Sequence, residues 1–140
     1  MKSWQGLKEG PAVDRAIINP WNAKTGCHAT SKKNHWCAIT VASCLLQVKA
    51  SGYSMSATCK GQKEYFKKHK RWITAGTKPR RGDIIFVTGH EGMITCVRLN
   101  GTGAFISGNC SNAVRITEFN WKKCTYGKKK VLGYGRPIYK

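Results

Sequence analysis

The chain has 140 residues, 41% of them hydrophobic, and its 25 Lys and Arg against six Asp and Glu give a formal charge of +19. That length allows one ordinary domain, excludes two, and lets about two-thirds of the unfolded surface be buried without help from a metal or disulfide. Five Trp and only four Pro exclude a disordered tail, and the charge draws the molecule towards polyanions such as nucleic acid, anionic lipid or the phosphate-rich polymers of a bacterial wall.

Taken in chain order, the first residues, Met1-Lys2-Ser3-Trp4-Gln5-Gly6-Leu7-Lys8, contain no apolar run of the signal-peptide kind. No segment approaches the roughly 20 apolar residues of a membrane span. The expectation is a protein made in the cytoplasm without a signal peptide. Residues 1–33 read as a short helix and a loop, with Asn19-Pro20-Trp21-Asn22 as a turn. A polar loop, residues 30–34, ends at His35-Trp36-Cys37.

Residues 37–50 are apolar almost all round. The run would also suit a strand, but its length, its alanines and the break at Ser51-Gly52 favour a buried helix with Asn34 or His35 near its N-cap. Residues 56–70 predict a second helix with a strongly basic outer face. Beyond Pro79 the pattern changes to strands at 84–87, 93–97, 104–106, 114–117 and 131–135, with a hairpin signal at Asn100-Gly101-Thr102-Gly103. Helices followed by an antiparallel meander define an α+β layout in one domain, 1–140, whose motif-bearing core is 34–137.

Seven cysteines is an odd number and cannot all pair. They are scattered, and only Cys27-His28 puts two potential ligands side by side, so no metal site and no cofactor is expected. The thiols read as reduced, buried small hydrophobes with at least one reactive member.

A thiol attacks an amide as thiolate, so a catalytic Cys needs a depressed pKa and a base beside it. Cys37 stands where loop gives way to buried helix, and a helix N-terminus favours the thiolate. Among the four histidines, His90 is best placed, following the strand 84–87 between Gly89 and Gly92. His35 is too close in sequence to Cys37, His69 lies among lysines, and His28 is a loop residue without a role. On residues alone, the alternative is a buried thiol and an unrelated turn histidine.

Five segments then carry a resemblance. They are His35-Trp36-Cys37-Ala38-Ile39-Thr40-Val41-Ala42, Arg81-Gly82-Asp83-Ile84-Ile85-Phe86, Gly89-His90-Glu91-Gly92-Met93-Ile94, Ile106-Ser107-Gly108-Asn109-Cys110-Ser111-Asn112 and Leu132-Gly133-Tyr134-Gly135-Arg136-Pro137. In this order they resemble the motifs of the CHAP family, the cysteine, histidine-dependent amidohydrolases and peptidases. The resemblance implies a papain-like fold, with N-terminal helices packed on an antiparallel sheet of about five strands. It implies a peptidoglycan hydrolase, of phage endolysin or bacterial autolysin type. Such an enzyme cuts the muramoyl–L-alanine amide or a bond of the peptide stem or cross-bridge. Cys37 would be nucleophile, His90 base and then acid, and Asn109 the group orienting the imidazole.

The family often has Glu where this chain has Ser107, so either Asn109 suffices or Glu91 substitutes, and Asn109 is favoured because adjacent side chains on a strand point apart. The Cys37 N–H is the natural first oxyanion donor, with Asn34 or His35 as the second. Asn34, Trp36, Glu91 and Ser107 are the candidate substrate-binding residues, with Trp36 either walling the cleft or packing in the core. Some family members bind calcium through an acidic loop before the Cys; residues 19–34 have no Asp or Glu, and no metal is expected.

The expected partners are peptidoglycan and anionic wall polymers, with no specific nucleic acid and no membrane span, for a monomer that reaches the wall by holin release or another export route. Two other readings stand beside this one. A basic nucleic-acid-binding module has the charge but no recognisable binding motif. An antibacterial effector would share the chemistry and differ in delivery.

Overall fold

The computed structural model describes residues 1–139, and Lys140 lies outside them. After a 3₁₀ turn at Lys2–Trp4, one continuous helical run is built from α1 (Pro11–Val13), a π-type stretch (Asp14–Ile18) and α2 (Asn19–Thr25). The segment Asn19-Pro20-Trp21-Asn22, expected as a turn, lies inside this run. Pro20 has no N–H to donate, and its ring crowds the carbonyl four residues back, that of Ala16. The π-type widening sits just before it. The side-chain amide of Gln47 donates to the Ala16 carbonyl at 3.2 Å, and Ser43 Oγ donates to that of Ile17 at 2.7 Å. Side chains of another helix thus occupy carbonyls within the irregular stretch.

That other helix is α3 (Cys37–Gln47), whose residues from Cys37 through Leu45 are all buried. The helix α4 (Cys59–Lys68) follows, capped by the Thr58 side chain, which accepts from the Gly61 N–H at 3.0 Å.

Seven strands come next: β1 (Trp72–Thr74), β2 (Ile84–Val87), β3 (His90–Val97), β4 (Thr102–Cys110), β5 (Ala113–Asn120), β6 (Thr125–Tyr126) and β7 (Lys129–Gly135). From β2 to β6 each strand pairs antiparallel with the next, and β7 pairs with both β6 and β2. The sheet therefore closes on itself as a six-stranded antiparallel barrel, with β1 added along β7. This overturns the expected papain-like arrangement of N-terminal helices packed on an antiparallel sheet of about five strands. The deciding element is β6. Two residues long, it has no periodicity to read, yet Thr125 pairs with Asn120 of β5 and with Lys130 of β7.

Alternation along the strands sorts the core. Ile85, Val87, Ile94, Phe105, Phe119, Val131 and Tyr134, from β2, β3, β4, β5 and β7, form one buried cluster with Trp121 just beyond β5. Their neighbours Ile84, Phe86 and Ile106 point the other way, towards the helices. There Ile106 and Val114 meet Ile17, Trp21, Trp36 and Ile39, while Ile84 and Phe86 meet Val41, Leu45 and Phe66. Each such side chain taken from water contributes about 1.5–3 kcal/mol. A charged clasp joins the start of β2 to the end of β7. Arg136 Nε and Nη2 donate to Asp83 Oδ1 and Oδ2, both at 2.8 Å. No helix among the described residues is long and apolar enough to cross a membrane.

Candidate active site

Two helices begin at one place. Cys37 opens α3 and Cys59 opens α4, and their sulfurs are 3.5 Å apart. The buried side chain of Gln62 holds them there, its Nε2 donating to the Ala38 and Ser56 carbonyls, both at 2.8 Å. One bond reaches the first turn of α3 and the other the loop leading into α4, so a shift of either helix start would break a buried hydrogen bond. No side chain caps α3. Asn34, expected near that cap, instead accepts from the Thr30 N–H at 3.0 Å.

The two thiols differ in their neighbours. Cys37 is pulled down from 9.0 to about 4, first by the hydrogen bond from Cys59, against burial, and then by the nearby His90 ring. Cys59 is pushed up, first because its proton is shared with Cys37, and then by burial. The proton of the pair therefore rests on Cys59 and the charge on Cys37. Cys44, two turns further along α3 beside a separate apolar hollow, is pushed up by burial. The same helix thus holds one ionisable thiol and one inert one. Iodoacetamide labelling of Cys37 is expected to keep its rate well below neutral pH and to fall only as the pH passes through about 4. A rate that declines steadily below pH 9.0, like that of an ordinary thiol, would contradict this assignment.

His90 opens β3 opposite Val87, after a tight turn. Its Nε2 is buried with no hydrogen-bond partner among the described residues, while the ring remains close enough to stabilise the Cys37 thiolate. Loose contacts of this kind tighten when substrate arrives. Asn109 reaches the same cleft by an irregularity. The β4–β5 register shifts between Ser107 and Cys110, and Asn109 takes a left-handed φ of 54°. Gly108 beside it has no side chain, and a Cβ there would collide with Thr40 Oγ1 and the Trp36 ring. That missing group lets β4 lie directly on α3.

Cys37, Cys59, His90, Asn109, His35 and Lys129 line one cleft of about 420 Å³. The Asn109 side chain makes no hydrogen bond to His90. Of the other expected site residues, Asn34 is exposed and lines a neighbouring hollow with His35. Trp36, Glu91 and Ser107 are each 0% exposed and present no surface to a substrate; Trp36 packs in the core with Ile39 and Ile106. The residues not anticipated are Cys59 and Lys129. For Cys59 a signal was present: Thr58 before it is an N-cap residue type, which puts a second thiol at a helix start. Lys129 was one lysine in a basic run. Among the described residues, no group of three or more His, Cys, Asp or Glu side chains is placed to hold a metal ion.

Glu91 behaves differently from a surface carboxylate. Both its oxygens are buried without a hydrogen-bond partner among the described residues, and burial, followed by the nearby Cys37 charge, raises its pKa well above 4.5. The fold keeps a proton that the unfolded chain releases above pH 4.5, so this linkage costs stability as the pH rises beyond that value and costs nothing below it. Glu91→Gln is therefore expected to raise the melting temperature at neutral pH and to have a smaller effect below pH 4.5. Equal shifts at both pH values would show that Glu91 carries no such cost.

No family model, curated protein or solved structure matches the chain.

Proposed function

We propose that the chain is a cysteine amidohydrolase that cuts an amide bond of bacterial peptidoglycan, either the muramoyl–L-alanine bond or one in the stem or cross-bridge. The observation carrying this reading is the Cys37 thiol at a helix start, beside Cys59 and His90 in an open cleft, where its neighbours favour the thiolate. The five CHAP-like segments add the substrate class. The barrel is not the fold that resemblance implied, so the reading rests on the site rather than on the architecture.

In the proposed reaction Cys37 attacks the carbonyl carbon, and N–H groups of the uncapped first turn of α3 hold the oxyanion. His90 passes a proton to the departing amine, then activates the water that releases the acyl group. Asn109, which lines the same cleft, is the group that orients the imidazole in this reading. The +19 charge concentrates the enzyme on an anionic wall.

Mass spectrometry of muropeptides released from purified walls tests this. New amine and carboxylate ends are expected with wild type and none with Cys37→Ala. Charge-driven docking gives a further expectation, because screening shortens from about 10 Å at 0.1 M salt to about 3 Å at 1 M. Wall hydrolysis should fall steeply over that range while Cys37 labelling does not. Hydrolysis indifferent to salt would remove the charge from the account.

A further inference from the structure

We propose that Cys37 and Cys59 form a reversible disulfide, installed by a hydroperoxide and removed by a thiol reductant, which takes the Cys37 sulfur out of the cleft's chemistry. Three observations carry it. The sulfurs are 3.5 Å apart, so a side-chain rotation closing about 1.5 Å would bring them to bonding distance. The apposition is built into the fold, since Gln62, 1% exposed, ties both helix starts with two 2.8 Å hydrogen bonds. Both thiols line the open cleft, where a small oxidant can enter.

The chemistry balances without further reagents. The Cys37 thiolate attacks one peroxide oxygen; an S–O bond forms, the O–O bond breaks, and hydroxide leaves and takes up a proton. The Cys59 sulfur then attacks the sulfenyl sulfur of Cys37. The S–S bond forms, the S–O bond breaks, and water departs with the Cys59 proton. Two thiols are oxidised and one peroxide is reduced to two waters. A small thiol reverses the step by exchange through a mixed disulfide.

That the bond switches hydrolysis off rests on Cys37 being the nucleophile; that the bond forms does not. The experiment separates the two. The full chain is treated with hydrogen peroxide, alkylated and mapped without reduction. The expected result is a Cys37–Cys59 linked peptide and two fewer alkylated thiols than the seven of the reduced chain, with full recovery on dithiothreitol. In Cys59→Ser, which keeps a hydrogen-bond donor to Cys37, dimedone is expected to capture sulfenic acid on Cys37, and continued peroxide to drive it beyond rescue by dithiothreitol. Wild type that accumulates sulfinic acid on Cys37 while Cys59 remains alkylatable overturns the proposal, as does a link between other cysteines. A mapped Cys37–Cys59 bond in a protein that hydrolyses no wall when reduced leaves the redox pair standing and removes the hydrolase reading.

Discussion

Replacing Cys37 with Ala is expected to lower wall hydrolysis on the order of 10⁴-fold or more, because the nucleophile of such a site has no substitute. The loss should be chemical rather than structural. Cys37 is 7% exposed at the first position of α3, a position that Ala suits, and the change removes one sulfur from the cleft wall. Unchanged circular dichroism and unchanged retention on walls would locate the defect in catalysis. His90→Ala should produce a comparable loss with an additional signature: the labelling of Cys37 moves towards higher pH, since one stabiliser of the thiolate is gone. Hydrolysis that survives Cys37→Ala would end the enzyme assignment at this site.

Arg136→Met is expected to cost about 3 kcal/mol, the usual penalty for stranding one member of a buried ion pair. In a domain of this size that lowers the melting temperature by about 10 °C. Asp83 is 3% exposed on its side chain and Arg136 28% exposed, so removing the guanidinium strands the more deeply buried charge. The Arg80 N–H, donating to Asp83 Oδ2 at 2.8 Å, would remain as a partner and offset only part of the loss. The double variant Asp83→Leu with Arg136→Met should recover most of the stability, because neither charge is then left alone. If the double variant is as unstable as the single one, the clasp acts through shape rather than charge.

Two of the side chains that line the cleft, Cys37 and His90, were easier to place from the sequence than the architecture was. Cys37 stood out because an abrupt polar-to-apolar boundary marks a helix start, and α3 begins there. His90 stood out because a short apolar strand ends in a glycine turn just before it, as the β2–β3 pairing has it. The charged clasp was also visible in pieces, since Asp83 and Arg136 belong to two of the five family-like segments, although nothing local said that they meet. Closure of the sheet was not visible. It depends on Thr125 and Tyr126, whose role comes from pairing with strands on both sides rather than from any pattern of their own. Pro20 misled for a related reason: its local rule predicts a break, and the partner that accommodates the helix, Gln47, lies far along the chain. Glu91 misled because a charged residue next to a turn histidine suggests exposure, whereas register places its side chain under the helices, opposite Phe86.

The closed barrel has a consequence for how the protein behaves at high concentration. An open sheet of such apolar strands would offer neighbouring molecules a free row of N–H and C=O groups on which to stack. Here the cylinder consumes those rows internally, and the strand left at a margin, Trp72–Thr74, is three residues long. It is further guarded by a cation, since the Lys67 ammonium lies 4.9 Å from the centre of the Trp72 ring. Like charges therefore meet where two copies would otherwise pair edge to edge, a device that disfavours stacking of one sheet on another.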